Sequence, residues 1–131
     1  MKVVLRPEPL PVPDALPSHL NDRLAAVKTD TPYYVHAIVI NSYGDGAETT
    51  QFLIEDDRGK LEQMPAVMWK AVSGKIPLAW EMRHFDNGTV LLAPPILSAP
   101  DPYFVDRFND GEPEQAALFA ELKAALLQED P

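Results

Sequence analysis

The groups best suited to acid–base or metal chemistry in this chain are three consecutive carboxylates and three histidines. The carboxylates are Glu55, Asp56 and Asp57, and the histidines are His19, His36 and His84. Carboxylates that hold one metal or pass one proton must converge on a single volume. In an extended segment Glu55 and Asp57 point one way and Asp56 the other. The order Asp56, Asp57, Arg58, Gly59 is instead what a tight turn needs. An Asp side chain accepts hydrogen bonds from the backbone that follows it, and a glycine takes a positive-φ corner. The segment is therefore expected to be a hairpin corner. Asp56 and Asp57 are expected at its exposed tip, facing a basic partner.

The run Asp106 to Glu112, DRFNDGE, has the opening of a calcium loop but not its pattern. Its third position is Phe108, and the twelfth, counted from Asp106, is Ala117 where a bidentate Glu is required. A helix start accounts better for Asn109, Asp110 and Gly111. Each histidine stands alone in its local context, without H-x-x-x-H, H-x-H or Ser/His/Asp spacing. Chemistry at His36 and His84 would require them to meet across a sheet. The G-x-G of YGDGAETT precedes a strand, so it offers no helix N-terminus to a phosphate. No catalytic residue, metal or cofactor is expected.

Composition narrows the function classes further. The chain has 131 residues, of which 46% are hydrophobic and 24% charged, enough for one core of ordinary size. It has no cysteine, which removes disulfides, thiolate metal sites and a Cys nucleophile. No apolar run approaches the roughly 18 residues of a membrane span, and the short apolar patch near Val3 ends at Arg6 and Pro7. A soluble cytoplasmic protein is expected, so Asn87-Gly88-Thr89 is taken as a turn rather than a glycosylation acceptor. The net charge is −9. Residues 101–131 carry two basic and eight acidic side chains, and so most of the excess. Such a field repels nucleic acid and anionic lipid and favours a basic protein partner.

The elements that must position these groups can be placed from pattern. Prolines at 7, 9, 11 and 13 make residues 1–17 an extended arm without a regular ladder. A single domain is expected over 18–131. Ser18 caps a short helix to about residue 28, with Leu20, Leu24 and Val27 on one face. Tyr33 to Asn41 is apolar on both parities, as a central strand covered on both sides should be. Glu48–Glu55 returns beside it, and Lys60–Met64 follows the corner. Residues 66–77 fit a strand and a helical turn equally. Leu78–Phe85 alternates, with Trp80, Met82 and His84 opposite Glu81 and Arg83, and Asp86-Asn87-Gly88 closes a hairpin. Pro102 opens a helical turn with Phe104 and Phe108 four apart. A helix over about 112–128 carries a Leu/Phe stripe.

The expected class is α+β. It comprises about five strands in a small curved antiparallel sheet or SH3-like or OB-like partial barrel, with a short N-terminal helix and an amphipathic C-terminal one. The expected function is a non-catalytic protein-interaction module, such as an immunity- or antitoxin-like inhibitor or adaptor of a basic protein. Two alternatives stand beside it. One is an accessory subunit that forms homo-oligomers through the C-terminal helix, and the other a small-ligand or enzymatic domain using His36 and His84. Candidate partner-binding residues are Asp56, Asp57, Tyr43, Trp69, Asp101, Asp106, Asp110, Glu112 and Glu114. Tyr43 and Trp69 qualify because aromatics in loop-like segments anchor interfaces.

Overall fold

The computed structural model describes residues 1–7, 23–42, 48–98 and 102–131. Seven strands are seen: β1 (Lys2–Leu5), β2 (Tyr33–Ser42), β3 (Glu48–Glu55), β4 (Leu61–Pro65), β5 (Trp69–Ser73), β6 (Glu81–His84) and β7 (Val90–Ala93). Three helices follow: α1 (Pro95–Ser98), α2 (Phe104–Asn109) and α3 (Pro113–Glu129). Residues 23–25 form a helical turn. Ser18, His19 and the prolines at 9, 11 and 13 lie outside the described residues. The fold is α+β, with a small antiparallel sheet that does not close.

β2 is the spine of the sheet. It pairs with β3 along its length. On its other edge it pairs first with β1, at Tyr33 and Tyr34, and then with β7, at Ile38 to Ile40. The sheet therefore forks. One branch continues through β1 to β5 and the other through β7 to β6. β1 is an addition to the expected strands: Lys2–Leu5 precede the prolines, so their backbone is free to pair on both sides. Residues 66–77 divide in two, a single 3-10 turn at Ala66–Met68 and then β5.

At the fork β2 carries one extra residue. Val35 pairs with Ile54 and Ala37 with Leu53, which leaves His36 as a bulge. The bulge switches parity. Val35 faces one core with Phe52, Ile54, Met64, Met68 and Trp69, whereas Ala37 faces a second core with Leu53, Leu61 and Phe119. The helices cover the second core. Phe119 of α3 is buried there, Leu118 and Leu122 pack against it, and Phe108 meets Phe119 edge-on at 4.7 Å. Each such side chain stabilises the fold by about 1.5–3 kcal/mol. Asn109 ends α2 rather than starting a helix. Its amide accepts from Leu61 N at 2.8 Å and donates to Leu61 O at 3.0 Å, which satisfies the outer edge of β4. Gly111, at φ 81°, then turns the chain into α3.

The three-acid corner is built inward. Asp56 is only 4% exposed. Its carboxylate accepts from Arg58 N and Lys60 N at 2.9 and 3.0 Å and from the Arg58 guanidinium at 2.8 and 3.1 Å. Gly59 sits at φ 78°, a conformation that glycine alone adopts freely. Asp57 is on the surface, but its carboxylate accepts from the Tyr33 hydroxyl at 2.9 Å and its N–H bonds Ala26 O. Glu55 lies on the helix side, 3.2 Å from Lys123 of α3. The corner thus ties β3, β4 and the turn before β2 together. Asp56→Ala is expected to destabilise the protein by about 2–4 kcal/mol, through buried donors left without an acceptor. Gly59→Ala should cost about 1 kcal/mol through backbone strain alone. Urea unfolding of both variants measures this, and an Asp56→Ala midpoint equal to wild type would show that the corner is not structural.

Candidate functional site

Two places stand out once the fold is assembled, the cavity at the fork and the outer edge of β6. The cavity exists because β2 changes neighbours. Between its pairings with β1 and β7 no strand lies beside His36, and the gap is filled by Pro77, Ala79, Trp80, Pro94, Leu97 and α3. A cavity of about 40 Å³ remains, lined by these residues with His36, Leu122, Leu126 and Glu129. The His36 ring is 4% exposed and meets Phe119 edge-on at 4.8 Å. Among the described residues it has no hydrogen-bond partner. Burial pushes its pKa down to about 3, and the charges of Lys123 and the Met1 amino group add to the effect. His36 is therefore a neutral imidazole at pH 7 in an apolar pocket.

His84 does not join it. It pairs with Val90, which pairs with Ile40, four residues beyond His36 on β2. Strand spacings put the two rings' backbones roughly 15 Å apart. His84 is exposed beside Arg83, Phe85 and Asp86. The carboxylates do not converge either: among the described residues no three His, Asp or Glu side chains are grouped to hold a metal ion.

The β6 edge is a surface of a different kind. β6 pairs with β7 alone among the described residues. All four of its residues are exposed. Phe85 N bonds Thr89 O across the hairpin end, at the turn where Gly88 has φ 87°. Hydrogen-bonded pairs alternate along an antiparallel ladder. Arg83 and Glu81 thus direct their backbone groups at β7, while Met82 and His84 direct theirs outward. Met82 on this strand is 60% exposed and Phe85 just after it nearly half; Leu78, 92% exposed, lies in the preceding turn, where its N–H bonds Glu129. Neither Glu81 nor Arg83 has an ion-pair partner among the described residues.

The sequence candidates are distributed unevenly over this structure. Asp56 is consumed by its turn, as described. Trp69 is buried in the first core, edge-on to Tyr33 at 5.8 Å, and presents no surface. Its segment is not a loop but the start of β5, which pairs with β1 among the described residues. Asp106 and Asp110 on α2 and Glu112 and Glu114 at the start of α3 are exposed. Tyr43 and Asp101 lie outside the described residues. The β6 edge was missed because an alternating strand gives no sign of whether one edge or both are paired. The nearest signal was the run of large apolar residues from Ile76 to Phe85, longer than a four-residue strand can bury.

No protein family, curated protein or solved structure matches the chain. No helix among the described residues is long and apolar enough to cross a membrane.

The buried imidazole makes a pH prediction. Its folded pKa, about 3, lies below its unfolded value of 6.5. The unfolded chain then binds more protons between these values, and stability falls as pH drops through that window. From pH 7 to 4 the loss attributable to His36 is at most about 3 kcal/mol. His36→Leu should unfold in urea at pH 7 within about 1.5 kcal/mol of wild type, and should lose markedly less stability on going to pH 4. Asp130 is held below the usual carboxylate range chiefly by the Ser73 hydroxyl and further by the Met1 amino group. Parallel pH profiles for the two proteins would show that His36 is not buried in its neutral form.

Proposed function

We propose that this protein is a protein-binding module that receives an extended segment of its partner on the free edge of β6. One observation carries this: an edge with no second strand partner among the described residues, bearing exposed Met82 and followed by half-exposed Phe85. Open edges are ordinarily blunted by shortness, charge, lysine, proline or a covering element. β6 is short and carries Glu81 and Arg83 but no lysine or proline, and its outward N–H and C=O groups at Met82 and His84 match the strand-addition mode of recognition. Burial of the flanking apolar side chains supplies the affinity that main-chain hydrogen bonds alone lack.

Charge supports a basic partner. The chain carries −9 overall, and Asp106, Asp110, Glu112 and Glu114 are exposed on the helical layer. A field of this sign accelerates encounter with a positively charged protein and slows it with nucleic acid. The concrete form of the proposal is an inhibitor or adaptor, immunity- or antitoxin-like, that docks on a basic protein. The apolar stripe of α3 is used within the chain, with Phe119 and Leu126 buried, so β6 is the better-suited contact.

The test is affinity capture from extracts of the source cells, with the wild type and Met82→Pro compared side by side. Proline at 82 removes an outward N–H and leaves the β6–β7 bonds in place. Wild type should retain a basic protein that 0.5 M salt weakens, and Met82→Pro should lose it at an unchanged melting temperature. Equal retention by both proteins would remove β6 as the site, and retention of no basic protein would remove the proposal.

A further inference from the structure

We infer that, without such a partner, the β6 edge is occupied by the β6 edge of a second copy of this chain, in one defined register. The inference rests on β6 being the docking edge and goes further by naming an occupant. Two copies related by a two-fold axis place their β6 strands antiparallel. Residues whose backbone groups point outward must pair with one another. Met82 and His84 point outward, so the two residue numbers in each facing pair must sum to an even value. Three central registers satisfy this. The first sets Glu81 opposite Glu81, and the third sets Arg83 opposite Arg83. Like charges directly opposite are destabilising. The middle register sets Met82 opposite Met82 and pairs each Glu81 with the Arg83 of the other copy.

The middle register also uses what the single chain leaves over. Glu81 and Arg83, which have no ion-pair partner among the described residues, gain one each. Met82 exchanges both backbone hydrogen bonds with its counterpart. Met82, 60% exposed in the single chain, meets its own counterpart at the centre of the interface. The strand is four residues long, so the interface is small and the dimer reversible, in rapid competition with a partner strand.

The absence of cysteine makes the register directly readable. A hydrogen-bonded antiparallel pair holds its Cα atoms about 5.5 Å apart, inside the roughly 4.4–6.8 Å range of a disulfide. Under mild copper-catalysed oxidation, Met82→Cys should form a covalent dimer at least tenfold faster than Val72→Cys, an equally exposed control on β5. Sedimentation equilibrium should show a concentration-dependent dimer for wild type, weakened by Glu81→Arg and restored by Glu81→Arg/Arg83→Glu. Equal cross-linking rates, a strictly monomeric wild type, or a double swap that does not restore association would each overturn the inference. These outcomes leave the partner reading intact if Met82→Pro still abolishes capture, so the two can fail separately.

Discussion

The structure depends on one constraint, the change of neighbour along β2. The ten-residue β2 is apolar on both faces, which two separate cores cover, and its second edge is shared between β1 and β7. The bulge at His36 reconciles the two. It shifts parity by one residue, so that Val35 serves one core and Ala37 the other while both keep their pairing with β3. Bulges also increase local twist, and the two branches of the sheet diverge from this point. A histidine at the bulge is the residual cost. It sits desolvated and neutral where the branches part.

Much of the polar chemistry in the chain is spent on holding this frame. Asp56 converts β3 into β4. Asn109 substitutes its amide for a missing strand at Leu61. Asp130 gathers Ser73, Lys2 and the Met1 amino group, and so fastens the end of α3 to the β1–β5 branch. Lys123 reaches Glu55 across the second core. A carboxylate enclosed by several donors is held in one position and has no lone pair to offer a substrate or metal. This is why Asp56, the middle acid of the densest acidic stretch, is architectural.

What the frame leaves unused is therefore informative. The β7–β6 branch leaves the fork with β7 packed into the second core at Ala93, while every residue of β6 is exposed. Exposed single hydrophobes are ordinary, whereas several together mark a candidate surface. In the proposed docking, long-range charge would govern which molecules approach, and the short-range edge what stays bound.

Several elements were legible in the sequence because their signals are local. Tyr33–Ser42 and Glu48–Glu55 are β-branched and aromatic, Asp86-Asn87-Gly88 is a hairpin turn, and Pro113 with Glu114 marks a helix start. The Asp56–Gly59 corner follows from side-chain-to-backbone bonding within four residues. These features depend on neighbours in the chain, so the sequence by itself determined them, along with the acidic charge. Tertiary structure alone decided the rest. Whether Trp69 is core or surface depends on Tyr33 and Val3, more than 30 positions away, and which edge of β6 stays open depends on how the rest of the chain is placed around it. The extra residue at His36 is invisible in a strand read alone, because a bulge exists only relative to the partner that lacks it. Register is a property of two strands, and burial a property of the whole packed chain. Neither is written into the order of residues along one segment.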